Sequence, residues 1–133
     1  MKLYQLLFLL CFQLIAGCSE KDPESVLKGC CGNQPIDEDV GNGHVYVANI
    51  FTPNGDGVND IFQLRGQNIE SVDFWITDRW GRMMFVGNSL TATWDGKLNG
   101  NDVPDGVYFI GLHYKYVDEI EFHDDGMSLT LMR

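Results

Sequence analysis

A two-residue alternation of apolar and polar side chains restricts the fold of this chain more than any other feature. Between residues 72 and 77, Val, Phe and Ile alternate with Asp, Trp and Thr, which is the period of a half-buried strand. Further β-rich runs occupy residues 45–50, 60–64, 82–86, 107–117, 119–123 and 127–132. Turn-forming Gly, Pro, Asn and Asp separate them, and no segment shows a sustained helical period. The pattern predicts an all-β domain, an antiparallel β-sandwich of about seven strands.

Ten apolar residues are expected to form the core of this sandwich. They are Val45, Val47, Phe62, Phe74, Ile76, Phe85, Trp94, Phe109, Leu129 and Leu131. Burial of one such side chain contributes about 1.5–3 kcal/mol, so the set can hold the domain together without a disulfide. Alternation alone leaves open whether Val107 and Phe109 or Tyr108 and Ile110 face inward.

Residues 1–17 have the pattern of an export signal. A positive charge at Lys2 precedes residues 3–14, which are apolar except for Gln5 and Gln13. This run is shorter than the roughly 20 residues of a membrane-spanning helix. The following Leu-Ile-Ala-Gly-Cys, residues 14–18, resembles a bacterial lipobox. The resemblance implies cleavage before Cys18 and acylation of its thiol. Incorporation of labelled palmitate would test this acylation. An ordinary signal peptide with Cys18 as a spare thiol is the alternative.

Residues 18–43 are predicted to be a lipidated N-terminus and a disordered tether, because they are rich in Gly, Pro, Asn, Asp and Glu. Residues 19–24, Ser-Glu-Lys-Asp-Pro-Glu, resemble the acidic surface-export signals of Bacteroidota lipoproteins; a solvated acidic linker is the alternative. Adjacent Cys30 and Cys31 are interpreted as incidental loop thiols, with a disulfide between two chains as the other option.

The formal net charge of −10 limits the classes of partner. An acidic surface repels nucleic acid and anionic lipid headgroups and keeps a crowded surface protein soluble. We therefore expect no nucleic-acid partner, and contact with a membrane only through the lipid on Cys18.

Four stretches carry a resemblance to a known family. They are residues 51–62 around Phe-Thr-Pro-Asn-Gly-Asp-Gly-Val-Asn-Asp, residues 74–85 around Asp-Arg-Trp-Gly, residues 94–108 from Trp-Asp-Gly to Pro-Asp-Gly-Val-Tyr, and residues 126–133. In this order they resemble the gliding-motility-associated C-terminal domain of Bacteroidota, the type B sorting domain of type IX secretion, over residues 44–133. The resemblance implies an immunoglobulin-like sandwich and a role in export and surface presentation. In that family the domain ends long secreted proteins, whereas here a lipid signal stands where a passenger would begin.

The first of these stretches also suggests calcium. Asn54, Asp56, Asn59 and Asp60 supply hard oxygen donors in one loop. The loop is not an EF-hand, because Val58 takes the place of a third side-chain ligand and no glutamate closes it. The alternative is a turn in which these side chains bond their own backbone.

The third stretch is interpreted as structural. We expect Trp94 to plug one end of the sandwich and Asp95 to accept backbone N–H groups in an Asx-turn. Gly96 and Gly106 would permit a positive φ.

The second stretch supplies the candidate contacts with a partner protein. Trp75 lies on the polar register of its strand and is the better candidate for a partner-facing aromatic. Arg79 is expected to lie over an aromatic ring or to pair with Asp78, and Trp80 to pack beneath the turn.

Catalysis finds little support in the sequence. His44, His113 and His123 lack the spacing of a joint metal site. No Ser or Cys lies in a nucleophile-elbow context, and no glycine-rich phosphate loop precedes a helix. We expect a protein that is not an enzyme and has no small-molecule substrate and no cofactor, with calcium as the one exception to be tested.

The leading functional hypothesis is a surface lipoprotein of the outer membrane, associated with type IX secretion or gliding motility, that acts through contacts with secretion components or other surface proteins. The second is a structural or adhesive module that binds glycan or calcium. A third is a remnant of a longer secreted protein.

Overall fold

Strands are the regular elements of residues 34–133, the part of the chain that the computed structural model describes. They are β1 Ile36–Val40, β2 Gly43–Val47, β3 Ile50–Phe51, β4 Phe62–Gln63, β5 Arg65–Gln67, β6 Ile69–Thr77, β7 Met83–Gly87, β8 Thr93–Trp94, β9 Lys97–Leu98, β10 Asn101–Asp102, β11 Gly106–Tyr116 and β12 His123–Leu131. Within this part no helix is long and apolar enough to span a bilayer. The all-β prediction is confirmed.

The largest sheet has five strands in the order β3-β12-β11-β6-β7. Its long strands pair antiparallel, with Ile110 opposite both Ile76 and Met127. At one edge of the sheet the pair of β3 with β12 is parallel, whereas the other strand pairs of residues 34–133 are antiparallel, as predicted. The reason for the parallel pair is the long connection: the chain leaves β3, builds most of the domain and returns beside it, whereas a tight hairpin would reverse its direction.

The sheet β1-β2-β5 and the pair β4-β8 cover the inner side of this one, and the pair β9-β10 lies beside β7. Buried side chains from β2, β4 and β8 meet those from β6, β11 and β12 in one apolar core. The arrangement is consistent with the predicted β-sandwich.

Strand β1 lies inside the segment predicted to be a tether. It pairs antiparallel with β2 through a turn at Gly41, whose φ is +58°. Ile36 and Val40 are partly buried against the core. The sequence Ile-Asp-Glu-Asp-Val has too few apolar residues to show the pattern of a strand. The segment forms a strand because it pairs with β2. The domain therefore includes residues 36–43, whereas residues 1–33, with the predicted signal peptide, Cys18, Cys30 and Cys31, lie outside the described part.

Most of the predicted core is buried. The confirmed members are Val45, Val47, Phe62, Phe74, Ile76, Trp94, Leu129 and Leu131. Phe85 is only partly buried. Phe109 was predicted wrongly, since it is 49% exposed while Tyr108 and Ile110 point inward. Both registers of β11 are apolar here, so only the pairing with β6 and β12 decides which one faces the core.

Three tyrosines on the inner register of β11 bury their rings and place their hydroxyls on acceptors. Tyr108 donates to the carbonyl of Pro104 at 2.6 Å, and Tyr114 donates to Asp125 at 2.7 Å. Tyr116 donates to the carbonyl of Glu38 at 3.3 Å, which ties β11 to β1. Burial raises the pKa of each of these three phenols above the ordinary value of 10.0.

These raised pKa values predict a loss of stability at alkaline pH. The unfolded chain releases the phenol protons near pH 10, whereas the folded domain retains them. The stabilisation is therefore complete below about pH 10 and falls as pH rises above that value. Chemical denaturation on both sides of pH 10 measures the decline, which Tyr114→Phe should flatten. An unchanged slope in this variant would contradict the prediction.

Candidate functional site

The loop between β3 and β4 is held by its own polar side chains. The Asp60 carboxylate accepts the N–H of Gly55 at 2.6 Å and that of Gly57 at 2.7 Å. Gly55 and Gly57 have φ values of +83° and +86°, which favour glycine. The Asn-Gly-Asp-Gly sequence is thus required by the shape of the loop.

Two of the other predicted calcium ligands have the same role. Asn54 Oδ1 accepts the Asp56 N–H at 3.0 Å, and Asp56 Oδ1 accepts the Val58 N–H at 2.8 Å. The Val58 hydrogen bond, followed by that from the Asn54 amide, lowers the pKa of Asp56. Asn59 supplies a left-handed backbone with a φ of +54°. These contacts account for the sequence as a turn, and calcium binding stays a prediction. Across residues 34–133, no three His, Cys, Asp or Glu side chains form a group that could hold a metal ion.

The third stretch makes the structural contacts predicted for its turn residues. Trp94 is buried, and its Nε1 donates to the carbonyl of Lys97 at 2.9 Å. Asp95 Oδ1 accepts the Lys97 N–H at 3.1 Å, and Gly96 and Gly106 have positive φ. A Cβ atom on Gly96 would lie 3.0 Å from Pro53 and 3.1 Å from Leu131. Three of the four stretches therefore meet at Gly96.

Arg133 binds the loops of the third stretch, a role that the sequence did not predict. Its guanidinium donates to the carbonyl of Val103 at 2.7 Å and to that of Gly96 at 3.0 Å. It also pairs with Asp105 at 3.0 Å. A terminal arginine has no sequence signal that separates it from a solvated one, so only its neighbours reveal this role.

The turn after β6 is organised by Asp78, which is buried. Its carboxylate accepts the N–H groups of Trp80 and Arg82 and the Arg82 Nε, each at 2.9 Å. Burial opposes ionisation of Asp78, but the Arg82 and Trp80 hydrogen bonds and the Arg82 charge together hold its pKa below the ordinary value. The partner of Asp78 is thus Arg82 and not Arg79.

The aromatic partner of Arg79 is its neighbour. The guanidinium carbon lies 4.1 Å from the centre of the Trp80 ring. The expected position of Trp80 beneath the turn is wrong, because the side chain is 72% exposed. Asp78 and its hydrogen bonds hold the turn without an apolar support. An open pocket of about 390 Å³ lies beside these two residues, with Asp102 and Asp105 on its lining.

An uncharged surface covers much of the solvent side of the five-stranded sheet. We call it the outer face; its positions are Ile50, Trp75, Thr77, Met83, Val86, Val107, Phe109, Gly111, Gly126, Ser128 and Thr130. Six of these side chains are large and hydrophobic, and all six are exposed. The predicted contact Trp75 therefore lies within a broad apolar surface.

Trp75 is seated on a glycine. Gly111 lies opposite it on β11, and a Cβ atom on Gly111 would come within 2.4 Å of the indole. The indole thus covers the bare backbone of Gly111, in the manner by which aromatic residues compensate glycines in sheets. Its remaining exposed fraction, 38%, faces solvent.

The three histidines bond three different carboxylates. His44 contacts Asp39 at 2.8 Å, and His113 contacts Asp124 at 2.7 Å. The third, His123, contacts a side chain in the turn that follows β11, Glu119, at 2.7 Å. The structure brings none of the histidines together.

Comparison with known proteins gives one family match. Residues 45–126 match the family described as the CHU_C type IX secretion signal domain. No curated protein and no solved structure matches the chain. The matched segment begins on β2, contains the outer face except for its last positions on β12, and covers most of the described domain.

Proposed function

This chain belongs to the CHU_C type IX secretion signal domain family, and on that premise we propose that it is a non-catalytic surface lipoprotein that acts through contacts with other proteins. Family membership associates the chain with type IX secretion and with the cell envelope or surface. The match over residues 45–126 is the observation that carries the proposal.

The lipid anchor is supported by the sequence of the first 18 residues. An apolar run leads directly into Leu-Ile-Ala-Gly-Cys. Each buried methylene of an acyl chain contributes about 0.8 kcal/mol, so two or more chains on one residue hold a small domain stably at a membrane. We propose that Cys18 carries them and that the anchor lies in the outer membrane.

Action through protein contacts is supported by the chemistry of the described surface. Contiguous exposed apolar patches on a protein surface are a mark of interaction sites. The histidines and the buried Asp78 are bonded to neighbouring groups within the domain, which is the pattern of scaffold residues. The partners we propose are type IX secretion components or other surface proteins.

The anchor is tested in cells that express the full chain and are fed labelled palmitate. We expect the wild type to carry label and to sediment with membranes. Cys18→Ala should lose the label and appear in the soluble fraction, because no acyl chain remains. Cys31→Ala, which removes a thiol outside the lipobox, is the matched control and should behave as wild type. Retention of label or of membrane sedimentation by Cys18→Ala would show that the anchor assignment is wrong.

Surface exposure is tested on the same cells with a membrane-impermeant, amine-reactive biotin. The Lys97 side chain is 46% exposed, so a folded domain at the surface should react. Lysed cells give the full signal for comparison. Disruption of type IX secretion should remove the reaction in intact cells only. Protection in intact wild-type cells would overturn the surface location and leave the anchor standing.

A further inference from the structure

The outward register of the five-stranded sheet is uncharged over the eleven adjacent positions of the outer face and becomes charged only at the row of Asp73, His113 and Asp124, although the chain has a formal net charge of −10. The outward register of a solvated strand normally carries polar residues. Here Val107, Phe109, Trp75, Met83 and Val86 occupy that register on three neighbouring strands. The apolar residues are therefore contiguous across the sheet, and packing within the domain does not explain them.

The size of the outer face limits what can cover it. It has eleven positions on five strands. Each position occupies about 4.8 Å across the sheet and about 6.8 Å, two residues, along a strand, so the area is roughly 360 Å². Functional patches on monomeric proteins are of this size. A stable protein interface buries about 800 Å² on each partner. An interface limited to this patch, with a second copy or with another protein, is therefore weak and transient.

The charges next to the outer face indicate the chemistry of the partner. Exposed Asp73 and Asp124 lie in the adjoining row, on either side of His113. Beyond that row lie Lys115, which pairs with Glu70 at 2.6 Å, and then Glu119 and Glu121 in the turn. Acidic groups outnumber cationic ones at this end of the sheet, so a cationic protein surface is attracted there, whereas a second copy that placed the same end against it would be repelled.

We propose that the outer face is a docking surface for a different protein, one that presents a flat apolar patch bordered by Lys or Arg side chains. The basic border lies against Asp73 and Asp124, and the apolar patch covers Phe109 and Trp75. Because Gly111 already holds the indole in place, docking orders few side chains. This inference rests on the proposed function, since the partner is a protein met at the cell surface.

Contact is made over the face and not along the edge of the sheet. The sheet ends at two strands, β7 and the two-residue β3. Strand β3 is too short to pair with most of an added strand, and strand β9 lies close beside β7. The pocket beside Trp80 adjoins the outer face through Val107 and can receive a side chain from the rim of the partner.

Photo-crosslinking in intact cells tests the proposal. The probe is p-benzoylphenylalanine, placed in the full chain at position 86 or position 107, with position 93 on β8, in the opposite layer, as the control. We expect one and the same protein adduct from positions 86 and 107, and none from position 93. Mass spectrometry should place the adduct on a partner peptide that contains Lys or Arg.

Variants then separate specific docking from chance proximity. Phe109→Asp should reduce the adduct about tenfold or more, because it places a charge at the centre of the contact. Asp73→Lys should reduce it as well, by repelling the basic border. Thr93→Asp, at an exposed position of β8 in the opposite layer, introduces the same charge away from the outer face and should leave the adduct unchanged. Thermal melts of the purified variants confirm that each one folds.

Several outcomes would overturn the proposal. An adduct between two copies of this chain, an adduct with lipid alone, an adduct on an acidic peptide, or no adduct at all each excludes the proposed partner. Equal yield from position 93 or insensitivity to Phe109→Asp excludes the outer face. The biotin reaction is measured in the same cells. If the chain reaches the surface and gives no adduct, the proposed docking surface is wrong and the proposed function still stands.

Discussion

Trp94→Ala is expected to destabilise the domain by about 3–5 kcal/mol, the range for removing a large buried aromatic side chain. Trp94 packs against Phe51 at 5.3 Å, Tyr108 at 5.7 Å and Phe85 at 6.5 Å between ring centres. It thereby joins the five-stranded sheet to the β4-β8 pair. The variant loses these contacts and leaves the Lys97 carbonyl without its indole donor. Equilibrium unfolding in urea measures the loss.

Trp80→Ala is the matched control, because it removes the same side chain from an exposed position. Its effect should lie within about 0.5 kcal/mol of zero. Trp94→Phe should fall between the two, since it keeps part of the ring packing and loses the hydrogen bond. Equal destabilisation by Trp94→Ala and Trp80→Ala would contradict the assignment of Trp94 to the core.

Arg133→Ala is expected to destabilise the domain by about 2 kcal/mol, because hydrogen bonds from a charged donor contribute about 1.5–3 kcal/mol and this side chain keeps some solvent exposure. The guanidinium bonds two carbonyls and the Asp105 carboxylate, and 23% of the side chain is exposed. For a domain of about 100 residues this corresponds to a fall in melting temperature of roughly 10 °C. Differential scanning calorimetry measures it.

Arg79→Ala provides the comparison for this variant. It removes an arginine whose guanidinium lies over the exposed ring of Trp80, so the melting temperature should change little. Arg133→Lys should recover part of the loss at most, because an ammonium group cannot reproduce the two-sided fork of a guanidinium. A melting temperature of Arg133→Ala equal to that of wild type would show that the observed hydrogen bonds do not stabilise the fold.

Local patterns predicted the polar loops of this domain well. Asn, Asp and Gly in the stretches around Asp56 and Asp95 act on backbone groups a few residues away, so their roles follow from spacing alone. The predictions for the second stretch were correct in part. Trp75 is exposed on the outer face, as expected. Asp78 forms its ion pair with Arg82 and not with Arg79, because the geometry of the turn decides which guanidinium reaches the buried carboxylate.

The sequence by itself determined the all-β class, most of the core and the family, because apolar alternation, turn residues and motif order are properties of neighbours along the chain. Only the tertiary structure decided that Phe109 faces outward, that residues 36–40 form a strand and that Arg133 bonds the loops around Gly96. Each of these depends on pairing between residues far apart in sequence. Register and long-range contacts are set by the whole packed domain, so no local pattern contains them.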